Sequence, residues 1–150
     1  MINILDYSKT LKEYVSRLNS QSKNIYITSV SDEAKSSVIS SIIKLSASKS
    51  PKLIICPNDD IASKLNEDIS AFLKNVYLYP ARDLIFAYAS VDGPATSSAR
   101  FDIIEKIKNK EDIIVIAGVD SIAEKIISKS DFDKSKIEIK VNQNITQEDE

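Results

Sequence analysis

Residues 24–36 read Asn24-Ile-Tyr-Ile-Thr-Ser29-Val-Ser-Asp-Glu-Ala-Lys-Ser36. The first five, Asn24–Thr28, predict a short strand. The stretch from about Glu33 to Leu45 predicts a helix, with Val38, Ile39, Ile42, Ile43 and Leu45 at helical spacing. A strand, a short loop and a helix in this order form the frame of a phosphate-binding loop, whose pattern is Gly-x-x-x-x-Gly-Lys-Ser/Thr. Lys35 and Ser36 occupy the last two positions, but Ser29 and Ala34 stand where the two glycines belong. Such a loop wraps phosphates with backbone N–H groups at a helix N-terminus. Some of its positions need φ > 0 or close approach to the ligand, which a Cβ obstructs. Asp32 and Glu33 add negative charge where a polyphosphate would lie. At ~4 Å and an effective dielectric near 20, each like-charge contact costs a few kcal/mol. The same residues also describe an ordinary helix start: Ser31 or Asp32 is a good N-cap, and acids in the first turn complement the helix dipole. The missing glycines and the two acids favour the capped helix, with Lys35 a surface lysine. A live nucleotide site using Lys35 and Ser36 is the alternative.

Outward from this stretch, short apolar runs alternate with longer helical ones. Ile25–Ile27, Leu53–Cys56, Val76–Tyr79 and Ile113–Ala117 are runs of three to five residues, of the kind buried on both faces of a parallel sheet. Helical spacing marks Tyr7–Leu18, the segment with Ile61, Leu65, Ile69, Phe72 and Leu73, the segment with Phe101, Ile103, Ile104 and Ile107, and Ser121–Ile127. Asn58 or Asp59, after Pro57, caps the second of these, and Thr96 to Ser98 supply caps for the third. Alternating strands and helices imply βαβ crossovers, so the expected class is α/β, with a parallel, doubly wound sheet. The stretch from Pro80 to Ala95 has no clean period, and Gly93-Pro94 is a turn signal. Its Phe86 and Tyr88 are read as cover for a sheet edge, with a partner interface as the alternative. Lys136–Val141 alternates as a half-buried strand. Thr146 and the acids after it predict a helix start four residues before Glu150. The expectation is an N-terminal fragment of a longer protein: residues 1–135 as one α/β domain and residues 136–150 as the start of the next.

The bulk numbers exclude several classes. The chain has 150 residues, 43% hydrophobic and 28% charged, with a formal net charge of −2. A chain of this size buries ~68–70% of its unfolded surface, enough for one core. The slight negative charge argues against a dedicated nucleic-acid surface. One cysteine, Cys56, and no histidine remove an internal disulfide and the commonest metal ligands, so no metal is expected. No apolar run reaches the ~18 residues of a membrane span. With no apparent signal peptide, the expected compartment is cytoplasmic.

Few residues offer themselves for chemistry, and no catalytic group is expected. Asp59-Asp60 reads as a helix cap. Glu67 and Asp68 are adjacent on a helix and do not face one another. Arg82 and Arg100 are read as ion pairs with the nearby Asp83 and Asp102, with an acidic partner as the alternative. Lys106, Lys108 and Lys110 form a small run that Glu105, Glu111 and Asp112 neutralise. A solvated helix end is favoured over DNA contact.

Several motifs together resemble the N-terminal module of the bacterial transcription-repair coupling factors, which is itself similar to domain 1 of the excision-repair protein UvrB. Leu53-Ile-Ile-Cys-Pro-Asn-Asp-Asp-Ile-Ala-Ser-Lys-Leu-Asn-Glu-Asp-Ile-Ser-Ala-Phe72 resembles that family's strand, Pro, Asp/Asn turn and amphipathic helix. Tyr79-Pro-Ala-Arg-Asp83 resembles its Phe-Pro-Ala-x-Glu turn. Ser98-Ala-Arg100 falls on the arginine that opens its next helix. Ile113-Ile-Val-Ile-Ala117 with Val119-Asp-Ser-Ile-Ala-Glu-Lys125 resembles a further strand–helix motif. The resemblance implies a RecA-like P-loop fold whose nucleotide loop has decayed, consistent with Ser29 and Ala34. It implies a non-catalytic scaffold for UvrA recruitment and autoinhibition in a DNA-translocating ATPase that displaces stalled RNA polymerase. It places ATP and Mg in a motor far downstream, and most of the UvrA interface in a domain beginning near Lys136. The family module lacks the UvrB hairpin that clamps damaged DNA, and Asp83–Ala95 is too short to replace it. Neither a membrane nor a small-molecule substrate is implied.

Overall fold

A computed structural model describes residues 8–19, 24–46, 48–81, 94–123, 128, 130 and 131. The predicted edge cover around Phe86 and Tyr88, Arg82, the end of the helix predicted to Ile127, the strand Lys136–Val141 and the helix start at Thr146 lie outside these residues. The described elements run α1 (Lys9–Asn19), α2 (Asp32–Leu45), β1 (Lys52–Cys56), α3 (Asp59–Ser70), β2 (Val76–Tyr79), α4 (Pro94–Lys108), β3 (Ile114–Gly118) and α5 (Val119–Ala123).

The three strands form an all-parallel sheet of order β1-β3-β2. The register sets Lys52 and Val76 on either side of Ile114, and Ile55 and Tyr79 on either side of Ala117. β3 is central, which is why all five of its residues are buried. Its alternation feeds two cores. Ile114 and Ile116 pack with Cys56, Ala62 and Ile69, against Ile39 and Ile43 of α2 and Leu65 of α3. Ile113, Val115 and Ala117 pack with Tyr79 and Ile103, against Ile104 of α4 and Ile122 of α5. The crossover from β1 to β2 passes over β3 with α3 on the first face. The return from β2 to β3 carries α4 on the second. Opposite directions on opposite faces are what right-handed crossovers require, so the sheet is doubly wound as expected.

Local chemistry fixes the ends. Asn58 Oδ1 accepts from the Ile61 N–H at 2.9 Å and caps α3, deciding between the two expected caps. Ser8 receives the Leu11 N–H on its Oγ at 3.4 Å at the start of α1, whose Leu11 and Val15 are buried one turn apart. α4 ends with Lys110 N–H bonded to Ile107 O and Glu111 N–H to Lys106 O, a Schellman motif closed by Lys110 at φ 56°.

Two expectations are corrected, and one burial pattern departs from the apolar spacing. Asn24–Thr28 is not a strand, and Tyr26 is 83% exposed. An apolar run this short becomes a strand only where it meets a partner edge; here it belongs to the link between the packed helices α1 and α2. α4 begins at Pro94, so Thr96 and Ser98 lie within the helix and do not cap it. Proline suits a first helical turn because its missing N–H has no partner there in any case. Finally, the apolar positions of α2 and α4 are not uniformly interior. The buried residues of α2 are Ser36, Ser40 and Ser41, while Phe101 and Ile107 of α4 are exposed.

Candidate functional site

The loop of residues 29–36 retains part of a phosphate-loop geometry without its chemistry. Ser29, at the first glycine position, has φ 61°, the left-handed region that favours glycine. Ser31 follows in extended backbone (φ −68°, ψ 158°) as the N-cap residue, and its carbonyl accepts the Ala34 N–H at 3.1 Å. Helix α2 therefore starts one residue earlier than the spacing predicts, at Asp32.

One of the two acids in its first turn is paired within that turn. Lys35 Nζ forms a hydrogen-bonded ion pair with Asp32 Oδ1. That bond, reinforced by the charge of Lys35, holds the Asp32 carboxyl below its ordinary value and raises Lys35 above its own. Glu33 is also held low, first by a backbone hydrogen bond and then by Ser31. Ser36 is only 7% exposed. The lysine of the motif is thus engaged by an acid three residues before it, and the serine has turned inward. An open cleft of about 570 Å³ adjoins this turn, lined by Asp32, Glu33, Ser36, Lys64, Glu67, Asp68 and Phe72 among others. Four carboxylates face one lysine across it, a field that repels polyanions.

A second cluster lies at the carboxyl ends of β1 and β3, and the sequence did not reveal it. Ser121 Oγ donates to Asp59 Oδ1 at 2.6 Å, and Ser121 is fully buried. Gly118 allows this approach: a Cβ there would stand 2.1 Å from Asp59 Oδ1 and 2.9 Å from the Asn58 carbonyl carbon. The expected cap Asp59 is therefore a tie between α3 and α5. The two partners are 62 residues apart, and no local pattern joins them.

The remaining candidates are placed as follows. Arg100 is buried; its guanidinium donates to Pro80 O at 2.8 Å and lies 4.5 Å from the centroid of the Tyr79 ring. Lys106 pairs with Glu111 at 3.5 Å and sits over Tyr77, in keeping with a solvated helix end. Asp112 does not neutralise the Lys106–Lys110 run. It pairs with Lys52 at 2.7 Å and Lys49 at 3.6 Å, because the chain has turned at Lys110 toward the start of β1. The Cys56 thiol is buried and pushed up by desolvation, which makes it a poor nucleophile. Among the described residues no group of three His, Cys, Asp or Glu could hold a metal ion. No helix among them is long and apolar enough to cross a membrane.

No family model matches the chain and no solved structure matches it. Among curated proteins, 140 of its residues align at 28% identity with the transcription-repair-coupling factor of Bacillus subtilis (strain 168). The chain is similar to a region of that coupling factor. The match covers 92% of this chain and 12% of the coupling factor. The chain therefore spans about one-eighth of the relative's length.

Proposed function

We propose that the chain is a non-catalytic module of a transcription-repair coupling factor and serves transcription-coupled DNA repair as a scaffold. The similarity over 92% of the chain carries this reading. The order of motifs from Leu53 to Lys125 supports an N-terminal, UvrB-like placement. The parallel α/β sheet is compatible with a decayed P-loop fold. In this reading ATP and Mg act in a motor elsewhere in the parent protein. RNA polymerase and DNA are met by other domains, and UvrA is met mainly by the domain that begins near Lys136.

The state of the loop supports a passive role. Ser29 and Ala34 place a Cβ where backbone must approach a phosphate, Asp32 engages Lys35, and the adjoining cleft is acidic. Calorimetric titration of ATP with Mg into the chain is expected to give no binding heat. Binding tighter than roughly 1 mM that Lys35→Ala abolishes would establish the alternative, a live nucleotide module using Lys35 and Ser36.

A further inference from the structure

The fold separates charges that the sequence mixes. All three strands are parallel, so they begin at one end of the sheet. The Lys52 N–H bonds Ile113 O and the Ile114 N–H bonds Asn75 O, each at 2.9 Å, which sets the three strand starts side by side. Crossover helices return their last turns to this same end. α2 brings Lys44, and its Ile43 and Ser46 share a cleft with Lys52. α4 brings Lys106 and Lys108. Lys49 and Lys52 stand at the start of β1, Lys74 precedes β2, and Lys110 turns the chain toward β3. Residues 44–52, 74–76 and 105–112 thus carry seven lysines against three acids, Glu105, Glu111 and Asp112. Their net charge is +4 in a chain of −2, so all other residues together carry −6.

The opposite end is acidic. The first turns of α2, α3 and α5 hold Asp32, Glu33, Asp59, Asp60 and Asp120. The helix dipole accounts for part of this division, since cations suit last turns and anions suit first turns. It does not account for Lys49, Lys74 and Lys110, which lie outside the helices. Asp112 is shared by Lys52 and Lys49, and Glu111 pairs with Lys106, so these acids are met within the cluster. Five of the seven lysines are exposed, the Lys49 side chain by 88%.

We propose that this end of the sheet is a contact surface for the sugar–phosphate backbone of duplex DNA. The cluster contains lysine and no arginine. Lysine is a point charge that suits phosphate, whereas contacts between proteins centre on arginine and aromatic side chains. Tyr77 is half-buried and Lys106 Nζ lies 5.6 Å from its ring centroid, so this ring is not open to a stacking base. That favours a duplex, with its phosphates outward, over a single strand. The acidic end repels the same polyanion, so the charge division orients the chain on it. Such a contact reads no bases. It goes beyond the scaffold reading and adds to the DNA contacts assigned there to other domains.

Fluorescence anisotropy of a labelled DNA duplex of about 20 bp, titrated with the 150-residue chain, tests this. At low salt a Kd on the order of 10–100 µM is expected, with log K falling against log salt at a slope of about −3, the value for three or four phosphate contacts. The double variant Lys74→Glu, Lys110→Glu should weaken binding at least ~10-fold and flatten that slope. Lys9→Glu, Lys12→Glu makes the same change in net charge near the start of α1, away from the cluster, and should weaken it no more than ~2-fold. On adding duplex to the unsubstituted chain, NMR amide shifts should change at Lys49, Lys74 and Lys110 and not at Asp60 or Asp120, which keeps the test sound if a variant unfolds. Equal losses in the two variants would overturn the proposal. So would shifts at the acidic end, or no binding at the lowest salt. Tighter binding of polyglutamate than of duplex at equal charge concentration would mark an acidic protein as the partner and overturn it too.

Discussion

The Ser121 hydroxyl donates a 2.6 Å hydrogen bond to the Asp59 carboxylate, tying the start of α5 to the first turn of α3. A hydrogen bond to a charged acceptor is worth more than a neutral one, and Ser121 is fully buried. Ser121→Ala is expected to lower stability by ~1–3 kcal/mol. The urea midpoint should fall with the slope unchanged, since the surface exposed on unfolding stays the same.

Gly118→Ala acts at the same junction by a steric route. The new Cβ would meet Asp59 Oδ1 at 2.1 Å and backbone at 2.9 Å, and the backbone contact cannot be relieved by a side-chain rotation. Overpacking of this kind costs ~1–3 kcal/mol. Because both changes disturb the contact with Asp59, the double variant Gly118→Ala, Ser121→Ala should be less destabilised than the sum of the singles. Strict additivity in chemical unfolding would show that the two residues act independently.

Two non-glycine residues in the left-handed region predict gains. Lys110 closes the Schellman motif at φ 56°, and Ser29 turns the loop before α2 at φ 61°. A Cβ in this region costs ~1–2 kcal/mol, partly offset when glycine adds freedom to the unfolded chain. Lys110→Gly and Ser29→Gly are each expected to be neutral or stabilising by up to ~1 kcal/mol. Thermal unfolding checks the sign. A loss at Ser29 would mean that the serine side chain holds the loop by some other contact.

Asp112 sets a pH dependence. The hydrogen bond from Lys52, together with the charges of Lys52 and Lys49, holds its carboxyl below the ordinary 3.8. A carboxylate depressed in the folded state contributes stability above its unfolded pKa, and that contribution is lost as pH falls through the folded value. Asp112→Asn should therefore lower Tm at neutral pH and flatten the decline of Tm between roughly pH 5 and pH 2. The pair is solvent-exposed, so added salt should shrink the difference at neutral pH.

What the sequence showed and what it missed divide by range. Leu53–Cys56, Val76–Tyr79 and Ile113–Ala117 were legible as strands from their unbroken apolar runs, although only β3 is buried along its whole length. Asn58 was legible as a cap because its partner, the Ile61 N–H, lies three residues away. Asn24–Thr28 has the same local character as those strands, yet it stands outside the sheet. At the loop, Ser29, Ala34, Lys35 and Ser36 were legible as a broken motif, whereas the Asp32–Lys35 pair and the inward turn of Ser36 depend on side-chain placement.

By itself the sequence determined the α/β class, the order of the central elements and the loss of the two loop glycines, all carried by contacts within a few residues. The tertiary structure alone decided that β3 lies between β1 and β2, that Ser121 reaches Asp59 and that Asp112 answers Lys52. Each of these joins residues far apart in the chain or depends on which strand edges meet. Such contacts form only when the sheet brings those edges together, so no local periodicity encodes them.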